Sequence, residues 1–109
     1  MYLVGSHLIY SGAININPNS SQTINVNFVA PYDGKIKLLF FPTGPVTASL
    51  TATDTTTNTS FTINMNSGNS VYGEYEMDIG RLIQINSITL TNNNSSSVGG
   101  YLIVIYEVG

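Results

Sequence analysis

The sequence predicts an all-β fold, an antiparallel β-sandwich of about eight strands that occupies residues 1–109 as one domain. Three observations carry this expectation. Apolar residues alternate with Asn, Thr and Ser in runs of strand length, which puts one residue type on each face of a strand. Turn-forming residues interrupt these runs at intervals of roughly ten residues, the spacing of a sandwich or barrel. No stretch has the periodicity of an amphipathic helix.

Taken in order, the stretch 2–10 is nearly apolar on both sides, with Leu3, Val4, Leu8 and Ile9, and Ser11-Gly12 reads as a turn after it. Ile14 and Ile16 then alternate with Asn15 and Asn17 before the turn signals of residues 17–21. Ile24, Val26 and Phe28 alternate with Asn25 and Asn27, up to a turn at Pro31 to Gly34. In 34–41, Ile36 and Leu38 face inward while Lys35 and Lys37 face out, and Pro42 to Pro45 ends the strand. The Thr-rich stretch 51–59 favours strand because Thr is β-branched, with Asp54 as the turn former inside it. Phe61, Ile63 and Met65 alternate with Thr62, Asn64 and Asn66, and a turn is expected at Ser67 to Asn69.

The next strand sets Val71, Gly73, Tyr75 and Met77 inward and Tyr72, Glu74, Glu76 and Asp78 outward, and Gly80 ends it. In 82–90, Ile83 and Ile85 are out of phase with Ile88 and Leu90. A bulge near Asn86-Ser87 restores both pairs to one face. After the turn-rich 92–100, the last strand, Tyr101-Leu102-Ile103-Val104-Ile105-Tyr106, is apolar on both faces. A strand greasy on both sides, in a chain of 109 residues, points either to terminal strands that pair centrally and are covered by loops or to a subunit interface. The expected contact residues are Leu3, Val4, Ile9, Tyr101, Ile103 and Ile105.

Composition excludes several functions. Hydrophobic residues make up 42% of the chain and there is no cysteine, so a core is affordable without disulfides and no thiolate can hold a metal. Charged residues are only 8%, against roughly a quarter in an average globular protein. Solubility therefore rests on amides and hydroxyls, which suits a surface exposed to variable outside conditions. A net charge of −3, with Lys35, Lys37 and Arg81 the basic residues, argues against nucleic acid. The first five residues lack a signal-peptide pattern, and no apolar run approaches the ~18 residues of a membrane span. The expectation is a chain that is made inside a cell yet carries an outward-looking surface. A virion protein satisfies both conditions, since it assembles in the cytoplasm and leaves with the particle.

Candidate sites are few. Glu74, Glu76 and Asp78 line one strand face about 7 Å apart, which splays the carboxylates and suits pairing with Lys35 and Lys37 better than wrapping a metal ion. His7 has no acid or cysteine near it in sequence, so neither a catalytic triad nor a zinc site has a start. Nothing sets two of Asp33, Asp54, Glu74, Glu76, Asp78 and Glu107 in a shared cleft for glycoside hydrolysis. No enzyme, cofactor or metal is expected. Tyr32, Tyr72 and Tyr101 with the Asn92-Asn93-Asn94 loop are the parts a sugar site would use. Asn19, Asn58, Asn93 and Asn94 fit the N-glycosylation pattern, all in expected turns.

Two stretches resemble the single jelly-roll domains of viral capsid vertices, spikes and fibre heads. One is Asn27-Phe28-Val29-Ala30-Pro31-Tyr32-Asp33-Gly34-Lys35-Ile36, a strand ending in an F-x-A-P-x-x-G turn. The other is Met77-Asp78-Ile79-Gly80-Arg81-Leu82-Ile83-Gln84-Ile85, strand, Gly turn and strand. The resemblance covers about a quarter of the chain and carries turn chemistry rather than site chemistry. It implies a jelly-roll sandwich and a structural virion component that assembles with itself, as trimer or pentamer, and with other capsid proteins, with a host-surface glycan as a further partner. Similar sandwiches serve as extracellular carbohydrate-binding modules, and a pilus subunit that donates a terminal strand is a third expectation from the apolar ends.

Overall fold

The computed structural model describes residues 5–64 and 73–108, and these form eight strands with no helix among them. They are β1 (Gly5–Ile16), β2 (Ser20–Val29), β3 (Gly34–Pro42), β4 (Thr47–Asp54), β5 (Thr59–Asn64), β6 (Gly73–Ile79), β7 (Ile83–Asn92) and β8 (Val98–Val108). One sheet has the order β1-β8-β3-β6 and the other β2-β7-β4-β5, with every pairing antiparallel. Apart from the β4–β5 hairpin, each connection carries the chain from one sheet to the other. That distribution is the jelly roll.

The alternation in the sequence accounts for the core. Ile36, Leu38 and Phe40 of β3 and Leu102, Val104 and Tyr106 of β8 face Ala48, Leu50 and Ala52 of β4 and Ile85, Ile88 and Leu90 of β7, all buried in one cluster. Burial of each large side chain contributes about 1.5–3 kcal/mol, so these strands bind the sheets together. The two alanines of β4 face bulkier partners, as interdigitating sheets require. The bulge expected in 82–90 falls at Asn86, which β4 skips between its Thr51–Ser87 and Ala52–Ile85 pairs. Ile85, Ile88 and Leu90 consequently share the inner face. Asn86 Nδ2 donates to Thr53 Oγ1 at 2.7 Å, so the bulged residue stays hydrogen-bonded.

The expected turn at Ser11-Gly12 does not form, and β1 runs through it to Ile16. The register instead slips between Leu8 and Tyr10, a bulge at Ile9. A Cβ at Gly12 would meet the Tyr10 hydroxyl. Local turn chemistry at Ser-Gly loses here to pairing with the full length of β8. Expectations for Leu3, Val4, Met65, the turn at Ser67 to Asn69, Val71 and Tyr72 fall outside the described residues.

Polar side chains hold the loops. Asp54 Oδ1 accepts from Thr56 N at 3.0 Å and Thr56 Oγ1 at 2.6 Å, which closes the β4–β5 turn as expected and holds the Asp54 carboxyl below its usual range. At one end of the sandwich, the buried Asn92 amide donates to the carbonyls of Ile16, Asn17 and Ser96 and accepts from the Asn94 backbone and side chain. Asn94 in turn donates to Pro45 O at 2.7 Å, so two amides tie three loops. At the other end the buried Tyr106 hydroxyl donates to Tyr32 O and accepts from Tyr32 N, fixing the F-x-A-P-x-x-G turn. Gly34 ends that turn because the Glu107 carbonyl of β8 occupies the space of a Cβ.

Two substitutions test this framework. Asn92→Asp keeps the shape but replaces the donor Nδ2 with an acceptor oxygen facing three carbonyls, and a buried, mispaired group costs about 3 kcal/mol or more. Tyr106→Phe removes one hydroxyl and leaves two part-buried backbone groups unmatched, for about 1–3 kcal/mol. Chemical denaturation should rank Asn92→Asp as the more destabilised, both with an unchanged denaturant slope.

Candidate assembly interface

Strand β8 lies in the middle of its sheet, between β1 and β3. Its inner residues belong to the core, so the outer half of its alternation, Tyr101, Ile103, Ile105 and Glu107, faces away from the domain. Cross-strand register then determines what surrounds it. Ile105 sits between Leu8 of β1 and Lys37 of β3, Ile103 between Ser11 and Leu39, and Tyr101 between Ala13 and Phe41. Leu8, Ala13, Leu39, Phe41, Tyr101, Ile103 and Ile105 therefore form one continuous apolar band across three strands. It is open: Leu8 is 65% exposed, Phe41 57% and Tyr101 44%. Three strands at about 4.8 Å spacing, over a length of roughly 20 Å, give an apolar area on the order of 300 Å².

The ion pairs described on the same face gather toward the Gly34 end of β3, and the register also sets Glu74 of β6 opposite Leu39. Lys35 Nζ donates to Glu76 Oε1 at 2.9 Å, and Lys37 Nζ lies 2.8 Å from Glu107 Oε1 and 3.7 Å from Glu76 Oε2. Of the acidic stripe on β6, Glu76 meets the basic pair on β3, and Glu107 of β8 joins them. The hydrogen bond from Lys35 and its charge hold the Glu76 carboxyl below its ordinary range, and Glu76 raises Lys35 in return. Among the described residues no three His, Asp or Glu side chains are grouped to hold a metal ion.

The other sheet presents a different outer face. Ser21 pairs with Thr91 at 2.8 Å, Thr23 with Thr89 at 3.0 Å and Thr53 with Ser60 at 3.0 Å, hydroxyl to hydroxyl across strands. Ser49, Thr51, Thr62 and Asn64 continue this grid. The domain therefore has one greasy broad face and one wettable, uncharged broad face.

Of the expected contact residues, Tyr101, Ile103 and Ile105 lie in the apolar band. Ile9, the bulged residue of β1, packs against the core instead, because the register slip turns it inward. Leu3 and Val4 lie outside the described residues. Leu8, Ala13, Leu39 and Phe41 complete the band and were not singled out from sequence. For Leu39 and Phe41 the signal was present, since they continue the outward parity of Lys35 and Lys37. For Leu8 it was hidden by the bulge.

The remaining candidates scatter. Asn19 and Asn58 are exposed in turns with φ of 53° and 57°, and Asn93 is exposed, but the Asn94 amide is engaged by Pro45 and Asn92. His7 packs near the Tyr106 ring, and its buried Nε2 has no hydrogen-bond partner among the described residues. Asp33 accepts from Arg81 N at 2.8 Å and so staples two loops. A cleft of about 90 Å³ opens between the sheets beside β5 and β6, lined by Ile36, Leu50, Phe61, Ile63 and Met77. Its one carboxylate, Asp78, offers little to orient a polar ligand.

Solved structures with this arrangement of strands now bear on the reading. No protein-family model and no curated protein sequence matches the chain. The chain is similar to the C-terminal domain of A223, a structural protein from Sulfolobus turreted icosahedral virus, at 24% identity and a TM-score of 0.60, with 96% of this chain and 100% of that one covered. The Yersinia pseudotuberculosis-derived mitogen is similar at 11% identity and a TM-score of 0.59, over 98% of this chain and 88% of that one. The VP2 subviral particle protein of infectious bursal disease virus follows at 14% identity and a TM-score of 0.52, with 98% of this chain and 33% of that one covered. The jelly-roll likeness carried by the two turn motifs is borne out. At these identities it is a likeness of fold, shared by viral structural proteins and a mitogen.

The charged corner yields a prediction with a definite sign. Glu76 is depressed from 4.5 and Lys35 raised from 10.5, so their pairing contributes between those values. It is lost as pH falls through the Glu76 pKa or rises through that of Lys35. Glu76→Gln should return Lys35 toward 10.5 in an NMR titration. The accompanying change in melting temperature should be small and vanish in high salt, because both side chains are solvated.

Proposed function

We propose that this protein is a non-catalytic structural subunit of a virus particle, acting by assembly with copies of itself or with other capsid proteins. The observation that carries the proposal is the apolar band on the outer face of the β1-β8-β3-β6 sheet. The other sheet carries polar side chains on its outer face, so the two faces differ in chemistry. The jelly-roll topology and its similarity to viral structural proteins supply the context. A vertex, spike or minor capsid position, with trimeric or pentameric symmetry, is the finer form of the reading. The Ser/Thr/Asn face is then the one turned to solvent or to a glycan on the host surface, and the virion is the location.

Magnitudes suit such a role. Covering about 300 Å² of apolar surface on each of two partners gains on the order of 15 kcal/mol gross. Association costs an estimated 4–15 kcal/mol or more, so one contact alone is weak. Closed rings and lattices gain stability by making several such contacts at once.

Light scattering coupled to size exclusion tests the proposal. The chain should show species larger than a monomer, growing with concentration through the micromolar range. Leu8→Ser and Phe41→Ser, at exposed positions, should shift the population to monomer with little loss of thermal stability, while Thr62→Ala should change nothing. A wild-type chain that stays monomeric into the millimolar range, and adds to no capsid partner, would remove the reading.

A further inference from the structure

We propose that residues 5–8, the first segment of β1, form a pH-sensitive latch that is closed on β8 while His7 is neutral and released when His7 takes a proton. The bulge at Ile9 divides β1 into this segment, paired with residues 105–108 of β8, and residues 10–16, paired farther along. The two parts are held differently. In the longer part Ile14 and Ile16 are buried in the core and Tyr10 packs against it. In the shorter part Ser6 and Leu8 are exposed on the outer side and Gly5 has no side chain. His7 is the one side chain there that turns inward, opposite the buried Tyr106, with the ring centroids 6.3 Å apart. Its ring and a short stretch of ladder close this end.

That ring is poorly placed to carry charge. Its Nε2 is buried and has no hydrogen-bond partner among the described residues. In the neutral ring this nitrogen can be the bare acceptor, but in the charged ring it becomes an N–H that must donate. A buried cation with no acceptor is far costlier than a buried neutral ring. The groups around it offer no relief. From β8, Tyr106 has its hydroxyl committed to Tyr32, and Glu107 lies on the opposite face, where it pairs with Lys37. From β2, Phe28 packs on the same Tyr106 ring at 5.0 Å. In the turn that Tyr106 fastens, Asp33 accepts from Arg81 N. On β1 the next titratable group is Tyr10, beyond the bulge.

Acid therefore favours release, because the freed ring binds its proton in water. The latch is shut at neutral pH and above. It gives way as pH falls through the range in which a solvated imidazole charges, near ~6.5. Release is local, since residues 105–108 stay paired with residues 34–37 of β3 on their other side. It bares the main chain at that end of β8 and withdraws Leu8 from the apolar face. The device holds whatever covers that face.

His7 is the only histidine, so its ring Cε1 resonance reports protonation unambiguously. NMR of dilute protein should follow that resonance together with the backbone amides from about pH 7.5 to about pH 5. As the ring protonates, the Ser6, His7 and Leu8 amides should move to unpaired positions, the open population rising on the order of tenfold. The Ile14, Ile16 and Leu102 amides should stay in place. His7→Phe and His7→Gln, two non-titrating replacements of different shape, should abolish the transition, and Glu107→Gln should leave it intact. A ring that protonates while residues 6–8 stay paired overturns the latch. So does a transition that survives both His7 replacements, one that is lost in Glu107→Gln, or a ring and segment both unchanged down to about pH 5.

Discussion

Everything distinctive about this domain depends on β8 being apolar on both faces while lying second from the edge of a four-stranded sheet. A sandwich is two sheets thick, so it buries one face of each strand. Leu102, Val104 and Tyr106 use that allowance. Tyr101 is exposed and Ile103 and Ile105 are only half-buried within the protomer, and their neighbours Leu8 and Phe41 widen the exposed area instead of roofing it. The opposite sheet shows that the chain can cover a sheet with hydroxyls and amides when nothing needs to stick to it. The seven side chains of the band are neighbours by register, which distinguishes it from a scatter of single surface hydrophobics.

The jelly roll keeps that face flat and in place. Each strand of the β1-β8-β3-β6 sheet is joined in sequence to strands of the opposite sheet, so displacing one drags loops that tie the two sheets. Those loops are tied by few but buried groups, the Asn92 amide at one end and the Tyr106 hydroxyl at the other. Tyr106 joins the two themes directly. It belongs to β8, fills the core and fastens the β2–β3 turn, so the strand that creates the band also anchors the scaffold beneath it.

Much of the fold was legible in the sequence because its signals were local. Alternation located the strands, Asp54 and the Gly34 and Gly80 turns marked their ends, and the phase break between Ile85 and Ile88 revealed the bulge at Asn86. The turn expected at Ser11-Gly12 shows where locality fails. Whether Ser-Gly turns or extends is decided by a partner strand some ninety residues away. The bulge at Ile9 left no mark in composition, and it exchanged Leu8 for Ile9 on the exposed face. The band was half visible for the same reason. Tyr101, Ile103 and Ile105 announce themselves in one two-sided strand, whereas Leu39, Phe41 and Ala13 become its neighbours through register alone. Glu107 joined the charged corner by the same cross-strand logic.

The most direct test of the central claim is methyl NMR of the Leu, Ile and Ala groups as the protein is concentrated. Incomplete burial of the β1-β8-β3 face predicts shift changes and broadening at Leu8, Ala13, Leu39, Ile103 and Ile105, with Ile24, Leu50 and Ile88 unmoved. Band methyls that keep their shifts at every concentration, while resonances of the Ser/Thr face move, would contradict it.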